Sequence, residues 1–183
     1  MIDPERIDEP LEDEPPIDPD DPALPALRRD WAFWIASGFG AGLVPRAPGT
    51  VGTLVATLPW LLLRELPWFG YIAVVLATFA LGVWTAQRVI DRLRIDDPGV
   101  IVMDEWVGLW ITLFLAPPGW QWLLIGVALF RVFDILKPWP VSWADRRLHG
   151  GFGAMFDDAL AGLYALAGVQ LLAWLVQRIP AGG

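Results

Sequence analysis

The stretch VMDEWVGLWITLFLAPPGWQWLLIGVALFRVFD, residues 102–134, decides the reading of the fold. Two carboxylates, Asp104 and Glu105, open it. An uncharged run from Trp106 to Phe130 follows, interrupted by Pro117-Pro118-Gly119, and Arg131 and Asp134 close it. Pro and Gly in series mark a turn, so the pattern predicts two short helices, about 101–116 and 120–136, with charges at the same end of both. A charged side chain at the centre of a bilayer costs roughly 2.5–3.5 kcal/mol on insertion scales, so ionisable residues at the ends of apolar segments usually pair, bind ions or mark a functional pathway.

The same pattern recurs outward from the hairpin. Uncharged runs cover residues 47–63, 66–87 and 159–177, and Asp157–Asp158 stand directly before the last. A span takes about 20 mostly apolar residues, and the 183-residue chain is 55% hydrophobic, above the roughly 45–50% of soluble domains. The expectation is an all-α, polytopic membrane helical bundle with a short central hairpin and an interfacial N-terminal helix. Further helices are expected at about 50–63, 68–90 and 157–177. Trp31 to Leu43 is apolar but too short to span, and is read as interfacial or re-entrant. Lys137-Pro-Trp-Pro140 should open a polar loop that runs through Gly150-Gly-Phe-Gly153.

Residues 1–27 hold ten of the 21 acidic residues and one arginine, which reads as a disordered acidic tail. Residues 28–183 form the membrane-embedded catalytic domain on this reading. No cleavable signal peptide is visible, because the N-terminus is acidic and proline-rich rather than basic and then apolar. With five crossings, Arg28, Arg29, Arg46, Arg88, Arg92, Arg94, Arg131, Lys137, Arg146 and Arg147 share one side, against Arg64 and Arg178 on the other. The positive-inside rule puts the first side in the cytoplasm, and every unusual polar motif falls there.

Zero cysteines exclude disulfides, thiolate metal sites and cysteine nucleophiles. A lone His149 cannot run a two-histidine phosphatase mechanism, and no Gly-rich Lys-Ser/Thr loop binds ATP. The five carboxylates Asp104, Glu105, Asp134, Asp157 and Asp158 cannot crowd together ionised without cations. Hard oxygen ligands suit Mg²⁺, and Arg131 with Lys137 suits phosphate oxygens. Plainer readings stand beside these. Asp157–Asp158 could be helix N-caps, Arg131–Asp134 a structural ion pair, Gly49-Thr50 turn and cap chemistry, and His149 a loop residue.

Four motifs add a resemblance: Pro45-Arg-Ala-Pro-Gly-Thr-Val-Gly-Thr53, Val102-Met-Asp-Glu-Trp-Val-Gly108, Phe130-Arg-Val-Phe-Asp-Ile-Leu-Lys-Pro-Trp-Pro140 and His149-Gly-Gly-Phe-Gly-Ala-Met-Phe-Asp-Asp-Ala-Leu-Ala-Gly162. In order and spacing, over about residues 31–177, the chain resembles the phosphatidylglycerophosphatase A family. The resemblance implies a multi-pass enzyme of the bacterial inner membrane, with its active site facing the cytoplasm. It would hydrolyse phosphatidylglycerophosphate to phosphatidylglycerol with Mg²⁺, and it would take no nucleic-acid partner. Glu105, Asp134, Asp157 and Asp158 would hold metal, with Asp104 in or next to the set. Arg46, Thr50, Thr53, Arg131 and Lys137 would bind substrate, and His149 would protonate the leaving oxygen. The alternative is an ion- or proton-coupled transporter with carboxylates along a path through the membrane. A nucleotide-activated lipid phosphotransferase lacks its usual Asp-Gly-x-x-Ala-Arg start.

Overall fold

The computed structural model describes residues 24–96 and 98–178, all of whose regular elements are helical. The predicted hairpin is present as α5 (Met103–Thr112) and α6 (Trp120–Leu136). For reference, the remaining helices are α1 (Leu24–Leu27), α2 (Trp31–Ala36), α3 (Pro48–Leu63), α4 (Trp68–Leu93), α7 (Val141–Arg147) and α8 (Gly150–Arg178). At 1.5 Å per residue, α5 is only about 15 Å long, half the thickness of a bilayer's hydrocarbon core. It is enclosed instead: every residue from Met103 to Trp110, and Thr112, is buried, against α3, α4, α6 and α8.

Small residues and buried hydrogen bonds fix that enclosure. α5 and α8 cross so closely that a Cβ on Gly162 would lie 2.5 Å from the Gly108 carbonyl oxygen. The Thr112 hydroxyl is shared between the carbonyls of Gly108 at 2.8 Å and Gly162 at 3.3 Å. The Trp110 indole N–H donates to the Ala56 carbonyl at 3.0 Å, and the Tyr71 hydroxyl to the Trp110 carbonyl at 2.6 Å. Each of these polar groups would be costly to bury unpaired, so together they pin α5 to α3, α4 and α8.

Outside, the bundle is apolar. Leu58, Leu62, Leu76, Leu124, Leu171 and Val176 are all exposed. α4 and α8, at 26 and 29 residues, are long and apolar enough to cross a membrane, with mean hydropathies of 1.8 and 1.9. Only 28% of each apolar window is buried inside the bundle, so these are not the sequestered core helices of a soluble protein.

Two predicted segments differ from the structure. Trp31–Leu43 is not one element: Gly38, Phe39 and Gly40 all take positive φ, separating α2 from a 3-10 turn at Ala41–Leu43. Asp30 caps α2, accepting the Ala32 N–H at 3.0 Å, and bonds Arg88 at 3.1 Å and Arg92 at 2.9 Å on α4. The Ala32 N–H and then these two guanidiniums outweigh partial burial and hold its carboxyl below the ordinary aspartate range.

The expected polar loop between residues 137 and 156 is the second difference, since it contains α7 and the first turns of α8. The glycines there are packing residues rather than breakers: a Cβ on Gly151 would lie 2.2 Å from the Val83 carbonyl oxygen. Most of the expected acidic tail, residues 1–23, lies outside the described residues. Leu24–Leu27 forms a helical turn whose Leu27 is buried beside Phe33, Ala36 and Val89.

Gly162→Val should force α5 and α8 apart and cost about 1–3 kcal/mol, the usual range for overpacking. Thermal unfolding in detergent will read this as a lower midpoint, whereas the same change at exposed Leu163 should leave the midpoint in place.

Candidate active site

One end of the bundle gathers the N-termini of α3 and α5, the C-terminus of α6, all of α7 and the early turns of α8. These surround an open cavity of about 970 Å³ whose walls include Gly49, Thr50, Asp96, Asp104, Glu105, Arg131, Asp134, Lys137, Asp145, His149, Asp157 and Asp158. The other end holds a smaller hollow of about 350 Å³ between the 64–68 and 113–118 turns, lined by Arg64, Trp60 and Tyr71.

The floor of the large cavity is anionic. Asp104, Glu105 and Asp158 are each buried, and each offers a carboxylate oxygen within 4.8 Å of the others. Asp134 acts on Asp158 from α6 and is bound to Arg131 Nη1, which also lies 3.9 Å from Glu105 Oε1. Glu105, Asp134 and Asp158 therefore meet at one site from three different helices. The buried Glu105 Oε2 has no hydrogen-bond partner, and neither has Arg131 Nε. Crowded carboxylates repel one another, and an all-oxygen set with an unsatisfied oxygen is suited to a hard divalent cation such as Mg²⁺. Among the described residues this is the one group of three such side chains.

The chain over the cluster has no room for side chains. A Cβ on Gly49 would stand 2.2 Å from Glu105 Oε1 and 3.1 Å from Arg131 Nη1. Thr50 lines the cavity beside it. Two expected substrate ligands fall elsewhere. Thr53 is fully buried and donates its hydroxyl to the Gly49 carbonyl at 2.9 Å, so it props the first turn of α3 from behind. Arg46 is exposed and is not among the cavity residues.

Lys137, expected to bind phosphate, is held by two carboxylates. Its ammonium is 3.0 Å from Asp157 Oδ2 and bonds Asp145 on α7. Burial works against this charge, but Asp157 and Asp145 outweigh it and hold the amine above the ordinary lysine range. Asp157, expected among the metal ligands, thus faces Lys137 and contributes no oxygen to the three-carboxylate group. The N-cap reading of Asp157–Asp158 fails, because α8 begins at Gly150 and both aspartates lie inside it.

His149 is exposed, with Nδ1 2.9 Å from Asp96 Oδ2, and both side chains line the cavity. Asp96 Oδ1 also accepts the Gly150 N–H at 3.1 Å. Asp96 and Asp145 were not singled out from the sequence. Asp145 sits in a segment read as loop, and nothing in Ala-Asp-Arg-Arg sets it apart from a solvated charge run.

Asp158→Asn, which removes one of the mutually repelling charges, should stabilise the protein in chelator-containing buffer by about 1 kcal/mol. That corresponds to roughly 2–4 °C in Tm for a chain of this size. A lower Tm would show that the cluster is not under electrostatic stress.

The model of the family described as phosphatidylglycerophosphatase A matches residues 34–173. The phosphatidylglycerophosphatase A of Escherichia coli (strain K12) is 45% identical over 130 residues, covering 70% of this chain and 76% of that protein. Its Haemophilus influenzae namesake is 43% identical over 134 residues, 72% of this chain and 82% of the relative. A Bacteroides thetaiotaomicron relative, 40% identical over 151 residues and covered over 93% of its length, is named for a phosphatidylinositol-3-phosphatase activity. No solved structure matches the chain. The matched region contains the buried carboxylates of α5 and α8 together with Arg131 and Lys137, and by that match the chain belongs to the phosphatidylglycerophosphatase A family.

Proposed function

We propose that this protein is a Mg²⁺-dependent lipid phosphatase of the bacterial inner membrane. It hydrolyses phosphatidylglycerophosphate to phosphatidylglycerol and phosphate, with the large cavity open to the cytoplasm. One observation carries the reading: three buried carboxylates within 4.8 Å of one another stand beside Arg131 in an open cavity, in a chain of this family.

A phosphomonoester carries up to two negative charges that carboxylates alone would repel. Asp104, Glu105 and Asp158, with Asp134 alongside, would hold the ion. Mg²⁺ bound there would supply Lewis-acid chemistry, neutralising phosphate charge and raising the nucleophilicity of water. Arg131 and the partly engaged Lys137 grip the non-bridging oxygens, and Thr50 adds a hydroxyl. Water attacks phosphorus and gives its proton to a cluster carboxylate. The glycerol oxygen leaves with the phosphorus–oxygen bond electrons and takes a proton from His149, whose Nδ1 is occupied by Asp96. The products are the lipid alcohol and inorganic phosphate.

The membrane topology belongs to the same reading. Five passes, with α5 and α6 as a hairpin sheathed by longer helices, put ten cations on the cytoplasmic side and leave Arg64 and Arg178 outside. α2, with Trp31 and Trp34 exposed near Arg28 and Arg29, lies along the interface. A transporter has no support: among the described residues, the buried carboxylates lie at one end of the bundle rather than along a path.

Purified protein given phosphatidylglycerophosphate and Mg²⁺ should release phosphate, and EDTA should stop the release. Phosphatidylinositol 3-phosphate in a parallel assay tests the headgroup, with slower release expected. Asp134→Asn should lower kcat at least about 10³-fold while the protein still inserts and keeps its Tm. Full activity in that variant rules out the site. Gly49→Ala should displace the Glu105 carboxylate and cost about 10²-fold in kcat/KM, measured in the same assay.

A further inference from the structure

We propose that Asp145 is a positioning residue for the phosphate grip: it holds the Lys137 ammonium between itself and Asp157, so that the third N–H of that ammonium faces the cavity. This inference rests on the phosphatase reading above.

A lysine ammonium has three donors and no acceptor. Asp157 on α8 takes one at 3.0 Å and Asp145 on α7 takes another. All three side chains are largely buried, with relative exposures of 18%, 15% and 7% for Lys137, Asp145 and Asp157, and all three line the cavity. Two anchors from different helices fix the direction of a flexible amine. One anchor alone would leave it free to swing toward the Asp104, Glu105 and Asp158 carboxylates.

The position of Asp145 is itself imposed. Val141 and Ala144, on the inner face of α7, are buried and pack that helix on α8, and this sets where the next residue points. The backbone at Lys137 is also constrained: it caps α6 at φ +40°, a left-handed conformation that a residue with a side chain adopts at some cost.

Stability alone does not account for the arrangement. Buried ion pairs are commonly no better for stability than apolar residues of similar size. Here two anions share one cation in the wall of a site that already holds an excess of negative charge. Asp145 adds charge where the fold gains least from it, and it touches the one lysine that faces the cavity.

The test uses the full-length protein in detergent micelles, with inorganic phosphate as the probe of the grip. Asp145→Asn should raise the Ki for phosphate about tenfold and lower kcat/KM on phosphatidylglycerophosphate to a similar extent, with Tm near that of the unmodified protein. Asp145→Glu, which restores the charge, should recover most of both. Lys137→Gln should show the same weakened inhibition, and adding Asp145→Asn to it should cause no further loss. If asparagine is not tolerated, Asp145→Ser carries the same expectations. An unchanged Ki in Asp145→Asn, or losses that multiply in the double variant, overturns the positioning role while leaving the phosphatase reading intact. An unmodified protein that releases no phosphate overturns that reading, and this inference with it.

Discussion

The structure depends on the burial of like charges against one another. Asp104, Glu105 and Asp158 lie within 4.8 Å at the bottom of a cavity, where low polarizability strengthens every repulsion. Such an arrangement survives only if something holds the backbones in place. α5 supplies the constraint, because it is wrapped on all sides and hydrogen-bonded through Trp110 and Thr112 to three other helices. The glycine contacts at Gly108 and Gly162 bring α8 near enough for Asp158 to face α5. Stability invested in the helix crossing is what lets the site stay strained.

That division also explains the inside-out look of the bundle. Its exposed surface is rich in leucine, valine and tryptophan, while its buried carboxylates are gathered at one end. A lipid whose reacting phosphate lies at the membrane surface fits such a molecule. On the phosphatase reading, the acyl chains would stay with the apolar flank and only the headgroup would enter the polar cavity. A water-soluble substrate would have no use for the greasy exterior, and a transmembrane path would need polar groups at mid-depth, which α5 fills with Val107, Leu109 and Trp110.

Much of this was legible in the sequence, because burying charge at the ends of apolar segments is expensive enough to be conspicuous. Glu105, Asp134, Asp158 and Arg131 stand out on that ground alone, and they meet in space. The turn at 117–119 was equally readable, since two prolines and a glycine leave few alternatives. What the chain did not disclose depends on contacts between distant segments. Gly150 and Gly151 look like breakers until α4 is seen packed against them, and Gly153 until the Leu148 carbonyl is seen against it. α7 is too short for a periodic signal, so Asp145 had no context. Thr53 resembles Thr50 in sequence and stands one helical turn further on, but it is fully buried and spends its hydroxyl on the Gly49 carbonyl.

Asp157 and Asp158 show how neighbouring residues of one type can differ in role. Successive positions on a helix point about 100° apart, so α8 sends Asp158 to the carboxylate cluster and Asp157 to Lys137. Had both faced the cluster, a further anion would have joined Asp104, Glu105 and Asp158 with no cation of its own beside it. Pairing Asp157 with a lysine removes one negative charge from the cluster and keeps a cation beside it. The same step binds α6 to α8 at the mouth of the cavity. The adjacent aspartates thus serve two separate environments from one turn of a single helix, a crowded carboxylate group on one side and a buried lysine on the other.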